Sequence, residues 1–306
     1  GYVGLTTGVC LADAGHNVIC IDIKDNIVSN INNGKPHFYE PQLKELLNIV
    51  LKKKAFKAST NLNKALNKAD IVLIAVGTPS FKGKIDLKYI NQAARDIGKW
   101  IKQSGKNIPL VIKSTVVPST TDTYFKDILE KFSNHNHPFF GLGMNPEFLR
   151  EGSAVSDFKY PDRIVFGFED EMTLEALKKL YERYDCPKIF VNSRTAEFIK
   201  YTNNSLLALQ ISFSNEMANL ANKIRNIDYN NVLQGVLSDH RWRSNKLTNN
   251  TLPGIVKYLE PGCGFGGSCF PKDVEAILNK GKEIGLKMSI LNSVLEVNRE
   301  QPKQII

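Results

Sequence analysis

The chain has 306 residues, of which 42% are hydrophobic and 23% are charged. This length and composition exclude intrinsic disorder and suffice for two domains with buried cores. The net charge of +9 comes from 40 Lys and Arg against 31 Asp and Glu, without a basic block, which favours an anionic ligand over a nucleic acid. No run approaches the ~20 apolar residues of a membrane helix, so we expect a soluble chain without a membrane partner.

The cysteines and the first residues bear on compartment and completeness. The five cysteines are odd in number and widely spaced, in a chain too large to depend on disulfides. We therefore expect a reducing, cytoplasmic compartment. The chain opens with Gly1 and Gly4, the last two glycines of a G-x-G-x-x-G motif, and has no strand before them. We expect a piece of a longer protein whose first strand is missing.

The segment after Gly4 is typical of a dinucleotide-binding βαβ unit. Residues 5–15 are predicted as a short helix that closes at Gly15, and Val18–Ile21 as a buried parallel strand. Asp22 ends that strand about twenty residues past the glycines, where a carboxylate accepts hydrogen bonds from the adenosine ribose and repels a 2′-phosphate. An Asp in this place is also a common turn residue, but in register with the glycines it predicts NAD rather than NADP.

Three further predicted strands open into loops of small polar, Gly or Pro residues. The strands at 71–76, 110–113 and 139–144 run into Gly77-Thr78-Pro79-Ser80, Ser114-Thr115 and Asn145-Pro146-Glu147. The C-terminal ends of parallel strands share one edge, where an open α/β sheet binds its ligand. A single loop of this kind can be a helix cap, which is our interpretation of Ser119. Three of them on one edge predict a binding site.

The pattern changes near Asn192, after a helix near 172–184 and strands at 163–168 and 188–191. From Ser193 to about Arg225 there is neither Gly nor Pro, and apolar residues recur at helical spacing, so one long helix is predicted. Such a helix bridges two domains or forms a dimer seam. Helices around 229–237, 274–284 and 288–300 make the second region mostly α. The predicted fold is α/β, with a Rossmann-type doubly wound domain and a helical domain joined by the long helix.

The densest signal is the segment 261–273, Pro-Gly-Cys-Gly-Phe-Gly-Gly-Ser-Cys-Phe-Pro-Lys-Asp. Its glycines predict a backbone that closely approaches a partner. Cys269 precedes a predicted helix start with Lys272 beside it, and both features favour a thiolate. The alternative is a buried structural thiol; the surrounding motif favours a nucleophile. No metal site is expected, because Cys263 and Cys269 lack C-x-x-C spacing and no His flanks them.

Seven motifs, in order along nearly the whole chain, resemble the UDP-glucose/GDP-mannose dehydrogenase family, and within it the UDP-glucose 6-dehydrogenases. They are Gly1-Tyr2-Val3-Gly4-Leu5, Tyr39-Glu40-Pro41, Gly77-Thr78-Pro79, Ser114-Thr115-Val116, the NPEFLREG segment 145–152, Lys200 with Asn204, and the GFGGSCFPKD segment 264–273. The resemblance implies an NAD-binding Rossmann-like domain over 1–192 and a central helical domain over 193–306 that forms a homodimer and carries the catalytic Cys. It also implies a C-terminal nucleotide-binding domain, which we expect to be absent from this chain.

The resemblance further implies a four-electron oxidation of a nucleotide sugar's primary alcohol to the carboxylate, with UDP-glucose favoured as substrate and NAD as cofactor. A thiolate explains how oxidation proceeds past the aldehyde, because its addition gives a thiohemiacetal that can be oxidised to a thioester. Cys269 would be that nucleophile. Asp273, one helical turn further on, would orient the thiol or a nearby water.

The remaining catalytic roles implied by the family concern oxygen charge and hydrolysis. Lys200 and Asn204 would stabilise negative charge on oxygen. Glu147 and Glu151 would supply the base for thioester hydrolysis, through a water that Thr115 helps to hold. Without the family, a Lys and an Asn four residues apart would be interpreted as a solvated helix face, and Glu147 as a helix cap.

The family also implies two sets of binding residues, one for the cofactor and one for the sugar nucleotide. The cofactor set is Gly1, Tyr2, Val3, Asp22, Lys24, Gly77, Thr78, Pro79, Ser114, Thr115, Glu151 and Lys272. The substrate set is Glu147, Phe148, Leu149, Arg150, Lys200, Asn204, Arg241, Tyr258, Leu259, Phe265 and Gly266.

Two positions depart from the family pattern. Ile27 stands where many relatives carry a cation for the adenosine side of the cofactor, and Lys24 is the nearest substitute. Relatives also place an Arg just before the segment that begins at Ile255, to reach the partner subunit's sugar, but here that position is Gly254. Arg241, which precedes an apparent insertion at 244–253, is the residue we carry over to this role.

Several alternatives stay open at this point. The substrate could be GDP-mannose or another nucleotide sugar, although Ser268 resembles the glucose and mannose enzymes rather than the acetamido-sugar branch. A two-electron hydroxyacid dehydrogenase of related fold would use a Lys and an Asn on the interdomain helix but would need no Cys. A non-catalytic nucleotide-sugar binder would be expected to have lost the thiol.

Overall fold

The computed structural model describes residues 1–81, 83–242, 254–267 and 269–305. The chain divides into two compact units. Unit 1 comprises Gly1–Pro79 and Ile85–Lys200, and unit 2 comprises Ser80–Lys84 and the chain from Tyr201 onward. Arg243, the predicted insertion at 244–253 and Ser268 lie outside the described residues. In the part of the chain that is described, no helix has both the length and the apolar character needed to cross a membrane.

The strands of the chain form one large sheet and two small ones. In chain order they are β1 (Val18–Ile21), β2 (Phe56–Ser59), β3 (Val72–Ile74), β4 (Ser80–Phe81), β5 (Lys84–Ile85), β6 (Pro109–Ile112), β7 (Gly141–Met144), β8 (Ile164–Phe168) and β9 (Lys188–Val191). The large sheet has the order β3-β6-β7-β8-β9 and is parallel except between β7 and β8. β1 and β2 form a parallel pair, and β4 pairs with β5. Among the four strands of these two small sheets, only β1 was predicted.

Helices follow most of the strands. They are α1 (Tyr2–Asp13), α2 (Asp25–Asn32), α3 (Leu43–Lys52), α4 (Leu62–Leu66), α5 (Lys88–Ser104), α6 (Lys126–Ser133), α7 (Ala154–Lys159), α8 (Glu171–Leu180), α9 (Ser193–Ile224), α10 (Tyr229–Leu237), α11 (Phe270–Glu283) and α12 (Ser289–Ile305). A π-helical turn, Thr120–Phe125, leads into α6, and short 3-10 helices cover His240–Trp242 and Gly254–Leu259.

Both faces of the large sheet are covered, as β6 shows. Val111 packs into an apolar cluster with Leu5 of α1, whereas Leu110 and Ile112 on the other face pack into a second cluster with Ile90 of α5. Successive side chains of a strand point to opposite faces, so a strand buried throughout needs a helical layer on each side. This arrangement confirms the predicted doubly wound α/β class.

Several element boundaries differ from the prediction. α1 begins at Tyr2 instead of residue 5, with Gly1 as its N-cap. α11 begins at Phe270 instead of residue 274, since a proline, Pro271, is well suited to a first helical turn. The long helix ends at Ile224, because Arg225 and the next residue adopt left-handed backbone conformations.

Helix α3 was not predicted, although its sequence carries the signal. Its buried residues are Leu43, Leu46, Leu47 and Val50, which recur at the spacing of one helical face. All four belong to the same apolar cluster as Leu5. The spacing of these four apolar residues would have been enough to predict the helix. No element was assigned to this segment, which lies between β1 and the predicted strand at 71–76.

The regular secondary structure in the described part of unit 2 is helical, apart from the β4 segment and Lys84. Its small apolar core contains Ala208 of α9, Phe265, Val274 of α11 and Val294 of α12. Another stripe of α9 remains exposed to solvent. Its members are Leu206, Phe213, Met217, Leu220 and Ile224.

Candidate active site

The predicted cofactor edge of unit 1 is built by close packing. A Cβ on Gly4 would lie 3.3 Å from the Cβ of Ala75, so glycine lets α1 approach the chain just after β3. Asp22 directly follows β1, and its Oδ1 accepts a hydrogen bond from the backbone N–H of Lys24 at 3.0 Å. The Lys24 side chain is exposed, while Ile27 packs against the apolar cluster of α1 and α3.

The loops after β3 and β6 are joined, as their shared edge predicts. The Thr78 hydroxyl donates to the carbonyl of Thr115 at 3.0 Å, and the Ser114 hydroxyl donates to the carbonyl of Val76 at 2.6 Å. Thr78 and Ser114 are both buried. The structure therefore brings two of the three predicted loops into direct contact.

Glu147 and Lys200 form a buried ion pair within unit 1. Lys200 Nζ lies 3.0 Å from Glu147 Oε1, and the side chains are only 5% and 7% exposed. The second oxygen, Oε2, accepts a hydrogen bond from the backbone N–H of Leu149 at 2.6 Å. The Phe148 ring lies 5.4 Å from Lys200 Nζ and 3.9 Å from the Arg163 guanidinium. Lys200 is thus not on a solvated face, and Glu147 holds a cation.

A buried network missed by the sequence interpretation lies under this loop. Lys113 Nζ donates to Asn145 Oδ1 at 2.8 Å, and the hydroxyl of Tyr181 donates to the same oxygen at 2.6 Å. Burial lowers the pKa of Lys113 to about 8, with Glu147 opposing the shift and Lys200 adding to it. These side chains line a cavity of about 90 Å³ together with Phe148 and other residues of the loop.

The other end of this loop is held by an arginine. Arg150 forms a forked pair with Asp157, with Nη2 2.5 Å from Oδ1 and Nε 3.1 Å from Oδ2. Leu149 packs partly into the apolar cluster of α1, while Glu151 is exposed. Arg150, like Glu147, is a predicted substrate residue of this loop that already has a protein partner.

Ser119 occupies the N-cap position of the π-helical turn Thr120–Phe125, as predicted, but its side chain makes no capping hydrogen bond. Its backbone is left-handed with φ 78°, and its N–H donates to Glu197 Oε2 at 2.8 Å. Glu197, on α9, also accepts from the N–H and the hydroxyl of Thr121 at 2.8 and 2.7 Å. Burial raises the pKa of this fully enclosed carboxyl to about 7, against the lowering effect of its three hydrogen bonds. Glu197 therefore holds the segment that follows Thr115.

In unit 2, Asn204 and Asp273 form a second buried pair. Asn204 Nδ2 donates to Asp273 Oδ2 at 2.7 Å, and the residues are 4% and 1% exposed. Lys272 Nζ lies 3.4 Å from Asp273 Oδ1. Asn204, like Lys200, is not on a solvated face.

Cys269 is the N-cap residue of α11, and its side chain is exposed. Its carbonyl accepts the helix's first hydrogen bond, from the N–H of Asp273 at 2.9 Å. The predicted placement of this thiol at a helix start is confirmed. The alternative of a buried structural thiol is wrong for Cys269, because the residue is open to solvent.

Side-chain amides hold the glycine segment that leads to Cys269. Asn298 Oδ1 accepts from the N–H of Phe265 at 2.7 Å, and Asn298 Nδ2 donates to the Phe265 carbonyl at 2.9 Å. A Cβ on Gly264, which has φ 89°, would lie 2.5 Å from Asn298 Oδ1. Asn215 and Gln301 bond the backbone N–H and carbonyl of Gly262. Sequence interpretation missed all three amides.

The remaining predicted substrate residues of unit 2 differ in exposure. Phe265 is buried in the small apolar core, so its ring is not on the surface, whereas Gly266 is exposed. Leu259 is also buried, and its carbonyl accepts from the Ser214 hydroxyl. The Tyr258 ring packs near Phe270, at 6.3 Å between centroids. Arg241 is exposed and forms a forked pair with Asp239.

A metal centre finds no support in the described residues. Among residues 1–81, 83–242, 254–267 and 269–305, no three His, Cys, Asp or Glu side chains are grouped as a metal site requires. The described residues of the candidate site offer a thiol, buried carboxylates, an ammonium and amides.

Comparisons with known proteins find relatives over nearly the whole chain. Residues 1–185 match the NAD binding domain of the UDP-glucose/GDP-mannose dehydrogenase family, and residues 194–300 match its central domain. A GDP-mannose 6-dehydrogenase of Pseudomonas aeruginosa is 34% identical across 98% of this chain and 67% of that protein. A UDP-glucose 6-dehydrogenase of Rickettsia conorii is 38% identical across 100% of this chain and 66% of that protein.

Solved structures give the same result. A UDP-glucose dehydrogenase from Pyrobaculum islandicum superposes with a TM-score of 0.90 and 39% identity, covering 99% of this chain and 67% of that one. A ternary complex of GDP-mannose dehydrogenase from Pseudomonas aeruginosa gives 0.76 and 35%, covering 98% and 67%. The chain thus spans about two thirds of the length of these relatives. It belongs to the UDP-glucose/GDP-mannose dehydrogenase family and is an NAD-dependent oxidoreductase.

Proposed function

We propose that the intact protein oxidises UDP-glucose to UDP-glucuronate. The overall change converts the primary alcohol, water and two NAD⁺ into the carboxylate, two NADH and three protons. The observation that carries this proposal is the exposed Cys269 thiol at the start of α11, in the same unit as the buried Asn204–Asp273 pair. A two-electron alcohol dehydrogenase has no use for such a thiol.

Cys269 adds to the aldehyde carbon, forming the C–S bond of a thiohemiacetal, and leaves as the thiolate when the later thioester is hydrolysed. Asn204 stabilises the negative oxygen of the adduct, because its amide is held in one orientation by Asp273 at 2.7 Å. Asp273 acts through this hydrogen bond and as an orienting group for the thiol or a water. Lys272, 3.4 Å from Asp273, balances the buried charge.

Lys200 and Glu147 handle protons and oxygen charge in the proposed reaction. An ammonium has three donors, so Lys200 can hold a substrate oxygen while it remains bonded to Glu147 at 3.0 Å. Glu147 accepts a proton from the water that attacks the thioester. Thr115, whose loop is bonded to Thr78, and the exposed Glu151 assist in holding that water.

The residues of unit 1 fit a bound NAD⁺. The N-terminus of α1 offers backbone N–H groups for the pyrophosphate, and Asp22 stands at the end of β1 for the ribose. The other cofactor contacts in this proposal are Tyr2, Val3, Lys24, Gly77, Thr78, Pro79, Ser114, Thr115, Glu151 and Lys272. When bound, NAD⁺ accepts a hydride in each of the two oxidations.

The remaining residues of the proposed site contact the substrate. Loop residues Phe148, Leu149 and Arg150 hold the sugar nucleotide together with Tyr258, Leu259, Phe265 and Gly266, the buried residues among them through their backbone. Arg241 reaches the sugar bound in the partner subunit. Its present partner, Asp239, would be exchanged for a phosphate or a sugar oxygen.

The number of NADH molecules formed per sugar tests the proposed reaction. With limiting UDP-glucose and excess NAD⁺, the intact enzyme should form two NADH per sugar; one NADH would indicate a two-electron dehydrogenase, and none a non-catalytic binder. Glu147→Gln should permit thiol addition but block hydrolysis. Mass spectrometry should then find the glucuronyl nucleotide on the peptide that contains Cys269. An unmodified peptide after a burst of NADH would end the thioester mechanism.

GDP-mannose is the second candidate substrate. It is supported by the relative from Pseudomonas aeruginosa, whose 34% identity is near that of the UDP-glucose enzymes. The same end-point assay, run with GDP-mannose, discriminates between the two. A ratio of kcat/KM values that favours GDP-mannose would replace UDP-glucose while leaving the chemistry unchanged.

We also propose a cytoplasmic homodimer, with residues 1–192 as the cofactor domain and 193–306 as the dimerisation domain. The support is the exposed stripe of α9 defined above and the absence of disulfides among the five cysteines, all of which are described. Phe213→Asp should shift the intact protein from dimer to monomer in light scattering. A wild-type protein that is monomeric in light scattering would contradict the proposed dimer interface on α9.

A further inference from the structure

Glu40 is a buried carboxylate that the proposed chemistry does not use. It lies in the segment between α2 and α3 and is 4% exposed. Its Oε2 accepts hydrogen bonds from the Tyr2 hydroxyl at 2.6 Å and from the N–H of Gly152 at 2.9 Å. Its Oε1 accepts from the N–H of Ala154 at 2.8 Å. All of these residues belong to unit 1.

The three donors come from two functionally different segments. Tyr2 is the first residue of α1, whose N-terminus belongs to the proposed cofactor site. Gly152 and Ala154 end the loop that carries Glu147 and Glu151 and lead into α7. Gly152 has φ 89°, so the loop makes a left-handed turn at the residue that Glu40 holds. One carboxylate therefore links the cofactor end of α1 to the end of the catalytic loop.

The link has a fixed hydrogen-bond direction. Both backbone N–H groups can only donate, so Glu40 must accept from them with both oxygens. Burial and the hydrogen bond to Glu40 raise the pKa of Tyr2, which keeps its phenol protonated and donating at neutral pH. The Tyr2 ring is also placed by packing on Phe38, with centroids 4.8 Å apart.

We propose that Glu40 is a positioning residue that transmits cofactor binding at Tyr2 to the loop that carries Glu147 and Glu151. The inference rests on the proposed contact of Tyr2 with NAD⁺. A ligand that immobilises Tyr2 also immobilises its hydroxyl on Oε2 of Glu40. The carboxylate then holds the N–H groups of Gly152 and Ala154 with less freedom to open, so the loop is more ordered when NAD⁺ is bound.

Hydrogen exchange of the intact enzyme, read by mass spectrometry on a peptide covering 149–158, tests the link. Saturating NAD⁺ should slow exchange of this peptide by about fivefold, the lower end of usual coupling effects. In Tyr2→Phe, the ring and its packing remain but the hydroxyl is lost. In this variant, saturating NAD⁺ should slow hydrogen exchange of the peptide by less than half as much as it does in the wild type. The control Tyr39→Phe, at a neighbouring side chain that is 89% exposed, should retain the full effect.

Glu40→Gln provides the second arm. In either orientation its amide nitrogen faces a backbone donor, at Gly152 or at Ala154, so exchange of the peptide should rise even without NAD⁺. Adding Tyr2→Phe to this variant should change the NAD⁺ effect no further, because both changes break one path. A purely structural Glu40 would raise basal exchange and leave the NAD⁺ effect intact, and that result would overturn the proposal.

Calorimetry and hydrogen exchange together distinguish an error in the proposed contact between Tyr2 and NAD⁺ from an error in the proposed link through Glu40. Calorimetry reports NAD⁺ binding directly. If NAD⁺ does not bind, or if Tyr2→Phe leaves its affinity and the peptide's protection unchanged, the contact at Tyr2 is wrong. If Tyr2→Phe weakens NAD⁺ binding but saturating NAD⁺ still slows the peptide as in the wild type, the contact holds and the link through Glu40 is wrong.

Discussion

The loops of the two units are held by different chemistry. In unit 1, buried carboxylates bind backbone N–H groups, with Glu40 on Gly152 and Ala154 and Glu197 on Ser119 and Thr121. In unit 2, amide side chains hold the glycine segment, and Asn298 both accepts from and donates to Phe265. The carboxyl of Glu197, whose pKa burial raises to about 7, can change its charge near neutral pH, whereas an amide cannot. A change of pH can therefore loosen the segment that Glu197 holds in unit 1, but it cannot loosen the glycine segment of unit 2 through its amides.

The groups that we propose to react differ in their exposure to solvent. Glu147 and Lys200 of unit 1 are buried and paired with each other. Cys269 of unit 2 is exposed at the start of a helix. Groups that exchange protons gain from being fixed in advance, while a nucleophile must be reachable by the carbon that it attacks. Four changes test these contrasts.

The largest effect is expected for Cys269→Ser. A hydroxyl is a far weaker nucleophile than a thiol at neutral pH, so acid formation should fall by at least about 1,000-fold, or ~4 kcal/mol of barrier. NAD⁺ affinity, measured by calorimetry, should remain within about twofold. Cys263→Ser, at the other exposed cysteine of the same segment, is the matched control and should be close to wild type. Near-normal turnover by Cys269→Ser would remove the exposed thiol from the mechanism.

The second largest effect is expected for Lys200→Met, which should lower the unfolding free energy of unit 1. It leaves Glu147 buried without its cation, which costs about 3–5 kcal/mol of unfolding free energy for a broken buried pair. The double variant Glu147→Gln/Lys200→Met should recover most of this loss, because no uncompensated charge remains. Urea unfolding of all variants forms the cycle. Additive losses would show that the pair is not coupled.

Glu197→Gln should change how stability depends on pH. Burial raises the pKa of Glu197 from 4.5 to about 7, so the folded state holds the proton more tightly than the unfolded chain does. Wild-type unfolding free energy should therefore fall as pH rises through this window, by at most ~3.5 kcal/mol at about 1.4 kcal/mol per pKa unit. The variant should lack this component in urea titrations at several pH values. Parallel curves would contradict the titrating anchor.

Asn298→Asp should have the smallest effect and carries the contrast into unit 2. The carboxylate still accepts from the N–H of Phe265, but its second oxygen faces the Phe265 carbonyl and cannot donate. A loss of about 1–3 kcal/mol is expected, decreasing at low pH when the carboxyl becomes protonated. Asn292→Asp, at an exposed position of α12, is the control with the same charge change. Equal effects of the two variants would reject Asn298 as an anchor.

Local pattern predicted much of the framework. β1, β9 and α10 have the predicted bounds, and Cys269 stands at a helix start as expected. Their signals are short-range: apolar runs, helical spacing and Gly or Pro punctuation. The sheet edge was also predicted, because the ends of parallel strands must meet.

The anchors could not be predicted, because each joins segments far apart in sequence. Glu197 bonds Thr121 across 76 residues, and Lys113 bonds Asn145 across 32. A buried Glu and an exposed one look alike in a single sequence, since their burial is decided by the packing of other elements. Phe265 shows the reverse case: the family resemblance implied a substrate contact for this residue, and its ring lies in the apolar core of unit 2.

Glu40 also has a consequence for the order of folding. Its bonds to Gly152 and Ala154 join residues 112 and 114 positions apart, so a long stretch of chain must be ordered before they can form. Contacts of such separation repay their loop-closure entropy late. The loop that carries Glu147 should therefore take its final shape after the strands on either side have paired, so that weakening Glu40 speeds unfolding more than it slows folding.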